Sequence, residues 1–148
     1  MPLHTITSLS DPLCQLIRDD PVRPEIPIEF RVSDHCEIFV LLDDQYMKPQ
    51  AVVCVAYKDS VPRTVVELSH PSLDRSNTAV FYTIWSYAPG AGRQLIRAAV
   101  GDIQLRSLGI TQFVTLSPPT EMARSFHLRN GADILSINAD TVNYRYTL

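Results

Sequence analysis

The residues able to do chemistry fall into two short stretches of the second half of the chain. The first reads Tyr87-Ala88-Pro89-Gly90-Ala91-Gly92-Arg93 and joins an apolar, β-branched run to an amphipathic one. Glycines at a strand-to-helix handover let backbone come close to a ligand, and the free N–H groups and dipole of the helix start favour phosphate. Arg93 adds a cation there. The same glycines also suit a plain turn that needs their dihedral freedom, and the stretch is neither G-x-G-x-x-G nor a Walker loop. The second stretch holds Ser117 and His127, ten residues apart. A serine ending a strand and a histidine on the next helix can face one cleft, and an imidazole of ordinary pKa near ~6.5 suits proton transfer at neutral pH. Two plainer roles compete: Ser117 as cap of the helix that follows Pro118-Pro119, and His127 turned to solvent beside Arg124 and Arg129.

The elements that must position these residues follow from periodicity. Thr78 to Ser86 (TAVFYTIWS) is the strongest strand, with Val80, Tyr82 and Ile84 expected on one face and Phe81 and Trp85 on the other. Apolar residues on both faces are those of a central strand covered on both sides. After the glycine turn, Leu95, Ile96, Ala99, Val100 and Ile103 recur with helical period, and Gly109 is expected to stop the helix. Gln112 to Leu116 is a strand, Thr120 to Arg129 a helix ended by Asn130-Gly131, and Ile134 to Ile137 and Val142 to Leu148 are closing strands. In the last of these, Val142, Tyr144, Tyr146 and Leu148 alternate with Asn143, Arg145 and Thr147, as core residues do. Strand-helix-strand in the middle implies a right-handed crossover and a parallel pair.

Upstream, Asp11-Pro12 starts a helix with Leu13, Leu16 and Ile17 on one face, ended by Pro21. Pro21, Pro24 and Pro27 hold the next stretch extended, and Ile28 to Val32 reads as a first or edge strand. Glu37 to Leu42 and Ala51 to Tyr57 form a hairpin-like pair, Thr64 to Ser69 is a further strand, and Asp74 to Asn77 a polar turn.

Composition sets the outer limits. The chain has 148 residues, 45% of them hydrophobic and 20% charged, which fits one globular domain over residues 1–148. A net charge of −3 gives no electrostatic footprint for nucleic acid or an anionic membrane. No apolar run reaches the ~18 residues of a membrane span. The opening MPLHTITSLSDPL lacks the form of a signal peptide, so a cytoplasmic location is expected. Cys14, Cys36 and Cys54 make no CxxC pair, and His4, His35 and His70 stand alone, so no disulfide framework, zinc ribbon or other metal site is expected.

The order strand, x-x-Gly-x-Gly, long helix, strand, helix resembles the GNAT superfamily of N-acetyltransferases, whose Q/R-x-x-G-x-G/A signature binds the pyrophosphate of coenzyme A. Tyr87 stands here where the signature has Gln or Arg. The C-terminal half sharpens the resemblance. AVFYTIWS, FVTLSP (Phe113 to Pro118), SFHLRNGA (Ser125 to Ala132) and NYRY (Asn143 to Tyr146), in that order, are similar to the catalytic domain of malonyl-CoA decarboxylase, a divergent member of that superfamily. The likeness runs from about Glu37 to Leu148.

The resemblance implies an α/β (α+β) GNAT-like fold, a mixed central sheet flanked by helices, and a coenzyme A thioester (malonyl-CoA or acetyl-CoA) as small-molecule partner. By position, Ser117 and His127 are its catalytic residues and Tyr146 a further active-site residue. Trp85, Ser86, Tyr87, Gly90, Ala91, Gly92 and Arg93 would meet the coenzyme. A homodimer through sheet edges is common in the superfamily. The chain also departs from the family. A glutamate proposed in the family's glycine turn falls on Gly90, and the N-terminal helical domain and the helical insertion between the serine and histidine motifs are absent from this sequence. Decarboxylation leaves an enolate that needs hydrogen-bond donors at the thioester oxygen and a proton at carbon. An N-acetyltransferase using an amine acceptor and a non-catalytic acyl-CoA-binding module stay open as alternatives.

Overall fold

In the computed structural model, which describes residues 1–72 and 74–147, every strand joins one sheet of order β1-β2-β3-β4-β5-β7-β6. The strands are β1 Leu3–Ile6, β2 Cys36–Leu42, β3 Pro49–Lys58, β4 Thr78–Ser86, β5 Gln112–Thr115, β6 Ala132–Ile137 and β7 Val142–Tyr146. Neighbours are antiparallel except β4 and β5, which are parallel. The helix that makes that crossover, α3 (Ala91–Leu105), buries Leu95, Ile96, Ala99, Val100 and Ile103 on one sheet face. Removing each large apolar side chain from water contributes roughly 1.5–3 kcal/mol. α4 (Glu121–Arg129) joins α3 on that face through Phe126 and Leu128. The other face is covered by a 3-10 helix (Pro12–Asp19) and two short helices, α1 (Ile28–Arg31) and α2 (Val65–Ser69). The expected mixed sheet, hairpin and parallel pair are all present. The expected end of the last strand at Leu148 lies outside the described residues. Among the described residues no helix is long and apolar enough to cross a membrane.

Several upstream elements differ from expectation. β1 was not foreseen; four residues with one polar-apolar cycle give too little pattern. Ile28 to Arg31 is a helical turn and not a strand, because Pro27 precedes it as N-cap and the turn swings Arg31 inward to a buried partner. Val65 to Ser69 is also helical. Thr64 accepts from the Glu67 N–H at 3.0 Å, and the Glu67 carboxylate returns to the Arg63 N–H at 3.3 Å. That capping arrangement was written as Thr-x-x-Glu beneath a misleading Val-Val pair. The Asp11-Pro12 start is real, with Asp11 accepting from the Leu13 N–H at 2.9 Å, but the helix is 3-10 in type. α3 ends at Leu105, with Arg106 as its C-cap and Ser107 in the left-handed region (φ 52°), before Gly109.

β4 departs from simple alternation. Its pairing with β3 runs Cys54 to Thr83 and then Val55 to Phe81, so Tyr82 is an extra residue that makes a β-bulge. Beyond it the faces exchange: Trp85 joins Val80 and Tyr82, and Ile84 joins Ala79 and Phe81. At the same level β4 and β5 part. Their ladder ends at Phe81 and Thr115, with Leu116 N–H to Phe81 O at 3.2 Å, and Ser117 then pairs with Val142 at 2.9 Å in both directions.

The segment joining the 3-10 helix to α1 covers this opening and is organised by one ion pair. Arg31 Nη1 donates to Asp20 Oδ2 at 2.7 Å, and neither side chain has any solvent exposure. Asp20 Oδ1 accepts from the Val22 N–H (2.7 Å), the Arg23 N–H (3.0 Å) and Thr83 Oγ1 (2.8 Å). Arg31 also donates from Nε to Ile26 O (3.0 Å) and from Nη2 to Arg23 O (2.7 Å). Breaking one half of a buried pair strands the other charge, so Asp20→Ala is expected to cost about 3–5 kcal/mol in urea unfolding. Asp20→Asn keeps an acceptor but strands the same Arg31 charge, so it should cost nearly as much; an Asn variant as stable as the parent would refute the charge argument.

Candidate active site

The parted strands leave a cleft of about 550 Å³ lined by both halves of the sequence prediction. Trp85 and Ser86 from β4, Gly92 from the start of α3, Ser117 after β5 and His127 from α4 all face it. Pro21 and Val22 close one side, and Met122, 84% exposed on α4, stands at the rim. The lining includes no Asp, Glu, Lys or Arg. The cleft is therefore apolar with a few hydroxyl, amide and imidazole groups, the usual make-up of a small-molecule site.

Gly90 and Gly92 serve different needs. Gly90 caps α3 in the left-handed region at φ 75°, where an L side chain is strained. Gly92 makes room: a Cβ there would lie 2.9 Å from Cε1 and Cζ of the Phe126 ring. The amides of Gly92 and Arg93 begin the helix without an intrahelical carbonyl. Gly90, Ala91 and Arg93 do not line the cleft; Gly90 and Arg93 lie exposed beside it and Ala91 is buried. Tyr87 is also outside it. Its hydroxyl accepts from Trp85 Nε1 at 3.0 Å and donates to Asp19 Oδ2 at 2.7 Å, which ties the indole in place.

Ser117 and His127 are both buried, so two plainer roles are removed. Thr120 is the N-cap of α4, accepting from the Ala123 N–H at 3.2 Å, and His127 does not face open solvent. The imidazole stacks on Tyr144 with ring centres 4.9 Å apart and meets Phe126 edge-on at 5.1 Å. Burial lowers its pKa to about 4, so it is neutral at physiological pH. Nδ1 lies 2.7 Å from the hydroxyl of Tyr146, which is buried behind the cleft and does not line it. Burial raises the tyrosine's pKa, so it keeps its proton. No other acceptor among the described residues takes that hydrogen, so Tyr146 donates to Nδ1 and the neutral imidazole carries its own hydrogen on Nε2. Sequence reasoning paired Ser117 with His127 but gave no sign of the hydroxyl network behind them, in which Thr115 Oγ1 lies 2.8 Å from Ser117 Oγ. Among the described residues no group of three or more His, Cys, Asp or Glu could hold a metal ion.

A mixed sheet parting beside a glycine-capped helix is the GNAT fold, and comparison with solved structures places the chain there. Malonyl-CoA decarboxylase from Agrobacterium vitis superposes with a TM-score of 0.78 at 20% identity, over 99% of this chain and 60% of its own. The Rhodopseudomonas palustris malonyl-CoA decarboxylase gives 0.76 at 18% identity, over 99% of this chain and 60% of its own. A GNAT family acetyltransferase from Elizabethkingia anophelis, solved with acetyl-CoA bound, gives 0.65 at 10% identity, over 99% of this chain and 97% of its own. The chain thus spans about three fifths of those decarboxylases' length, and at these identities the likeness is one of fold. No protein-family model matches the sequence, and no curated protein does.

Two outcomes test the geometry. The unfolded imidazole titrates near ~6.5 and the folded one at about 4, so between these values the unfolded chain takes up a proton that the native chain does not. Stability should fall by up to about 3 kcal/mol as pH drops through that window. Urea curves at pH 7 and 4.5 for the parent and His127→Gln check this; an equal pH dependence in both refutes it. Gly92→Ala should cost about 1–3 kcal/mol by overpacking Phe126, and Phe126→Leu in the same chain should recover much of it.

Proposed function

We propose that the protein is an acyl-CoA-handling enzyme and that its reaction is the decarboxylation of malonyl-CoA, or a related malonyl thioester, to acetyl-CoA and CO2. The observation that carries this reading is a cleft without Asp, Glu, Lys or Arg in its lining that Ser117 and a neutral His127 both line, beside the glycine turn. The fold likeness to malonyl-CoA decarboxylases supports it.

In this reading the pyrophosphate lies over the turn Gly90-Ala91-Gly92, at the free amides of Gly92 and Arg93, with the Arg93 side chain beside it. The pantetheine arm follows Trp85 and Ser86, with Tyr87 holding the indole, and the acyl end lies between Ser117 and His127. The bond from the carboxylate carbon to the α-carbon breaks heterolytically. CO2 leaves, and the electron pair passes to the thioester as an enolate. The Ser117 hydroxyl and His127 Nε2–H are neutral donors for that oxyanion, and Tyr146 fixes the imidazole tautomer. A proton, drawn from solvent, then adds at carbon to give acetyl-CoA. Neutral donors in a water-poor cleft stabilise developing charge strongly, and removing one typically costs ~100-fold or more in rate.

Transfer of an acetyl group to an amine is the second reading, favoured by the acetyltransferase whose length the chain nearly matches. That chemistry needs a base for the ammonium, and no carboxylate lines this cleft.

Mass spectrometry of malonyl-CoA incubated with the pure protein tests the proposal. The parent should form acetyl-CoA, and Ser117→Ala and His127→Ala should each lower the rate about 100-fold or more while still binding the thioester. Malonyl-CoA left intact by the parent overturns the decarboxylase reading, and amine-dependent release of free coenzyme A from acetyl-CoA selects the second.

A further inference from the structure

The hydroxyl behind Ser117 has a partner set that fixes where its hydrogen points. Thr115 Oγ1 is fully buried at the end of β5. It accepts from the Tyr144 N–H at 3.1 Å and lies 2.8 Å from Ser117 Oγ. No carbonyl, carboxylate or other acceptor among the described residues stands within hydrogen-bond reach of it. A buried hydroxyl hydrogen without an acceptor is costly, so that of Thr115 must go to Ser117 Oγ. The hydrogen of Ser117 is then free, and the one open direction is the cleft that Ser117 lines. Among the described residues Ser117 also has no base as a hydrogen-bond partner, since the imidazole Nδ1 is taken by Tyr146.

We propose that Thr115 is a positioning residue, one that turns the Ser117 hydroxyl into a committed hydrogen-bond donor to the thioester oxygen of the bound acyl group. This rests on the reading of the cleft as an acyl-CoA site. It gives Ser117 the part of an oxyanion donor and not that of a nucleophile. A second layer holds Thr115 itself. Asn143 Nδ2 donates to Thr115 O at 2.8 Å and to Pro62 O at 2.9 Å, and Asn143 Oδ1 accepts from Ser136 Oγ at 2.7 Å and from Asn138 Nδ2 at 2.9 Å. The strand end that carries both hydroxyls is therefore anchored from β6 and β7, on the side away from the cleft.

Proton NMR of the ligand-free protein tests the first step. The Thr115 hydroxyl proton should exchange slowly and Ser117's quickly; a protected Ser117 proton directed at Thr115 overturns the assignment. Isotope-edited infrared spectra of acetyl-CoA labelled with carbon-13 at the carbonyl test the second. The parent and Thr115→Ser should show a lowered carbonyl frequency, Thr115→Val a smaller shift, and Ser117→Ala almost none. Adding Thr115→Val to Ser117→Ala should shift the carbonyl frequency no further, because Thr115 reaches the thioester oxygen only through Ser117. With malonyl-CoA, Thr115→Val should lower kcat about tenfold with little change in KM, and Thr115→Ser should restore it. A carbonyl frequency insensitive to Thr115→Val, or an additive effect in the double variant, overturns the proposal while the site reading stands. Failure of acetyl-CoA to bind the parent overturns the site reading, and the thioester as recipient with it.

Discussion

The buried Asp20–Arg31 pair is the constraint on which the cleft depends. Removing two ions from water costs several kcal/mol each, and attraction between them offsets this only when the remaining donors and acceptors are also used. Here they are, largely by backbone: Asp20 takes the amides of Val22 and Arg23, and Arg31 takes the carbonyls of Arg23 and Ile26. Residues 20 to 27 belong to no strand or helix, so the pair does for them what a ladder does elsewhere. An apolar pair could match it in stability, yet would leave those peptide groups without partners. The same knot reaches β4 through Thr83 and the end of β5 through Arg23, whose Nη2 donates to Leu116 O at 3.0 Å. Pro21 and Val22 thereby become a fixed wall of the cleft, and the residue before Ser117 is held from the far side.

Parting two neighbouring strands raises an accounting problem, because each peptide group past the last rung loses a partner. β5 solves it by changing neighbours. Ser117 exchanges both backbone bonds with Val142, so its side chain is set by β7 while its position faces β4. β4 changes course at the same level: the bulge at Tyr82, in its pairing with β3, re-aims Thr83 toward Asp20 and sends Trp85 to the face opposite the one that alternation assigns. The cleft thus lies between a strand that changes neighbours and one that bends at a bulge.

How far this was legible depended on the length over which a pattern could repeat. Nine residues of β4 and fifteen of α3 carry enough period to reveal both element and burial. The Ser117 and His127 stretches were legible through motif order, and the structure brings them to one cleft as that order implied. Short elements were not. Ile28 to Arg31 opens on an isoleucine and Val65 to Ser69 on two valines, which suggest strands, yet each is one helical turn whose direction is set by a tertiary partner or a cap. The bulge left no trace, since its only signature is which face Trp85 joins. Tyr87, expected at the coenzyme, also links the indole to Asp19, a pairing across 68 positions that no local pattern could show.

Gly90 bears on which reaction such a cleft can support. The family's glutamate falls at this position in the resemblance, and here the backbone stands at φ 75°, a conformation costing roughly 1–2 kcal/mol for an ordinary side chain. The turn is shaped for glycine, so a carboxylate-bearing side chain there would be strained by the backbone, although the space beside it is open. With no carboxylate lining the cleft and an imidazole whose pKa is about 4, the site has no group that both accepts a proton readily and carries charge near neutral pH. Chemistry that begins by taking a proton from an ammonium is poorly served. Chemistry in which the carboxylate leaves as neutral CO2, and the charge that passes to the enolate is met by neutral donors, needs no such base.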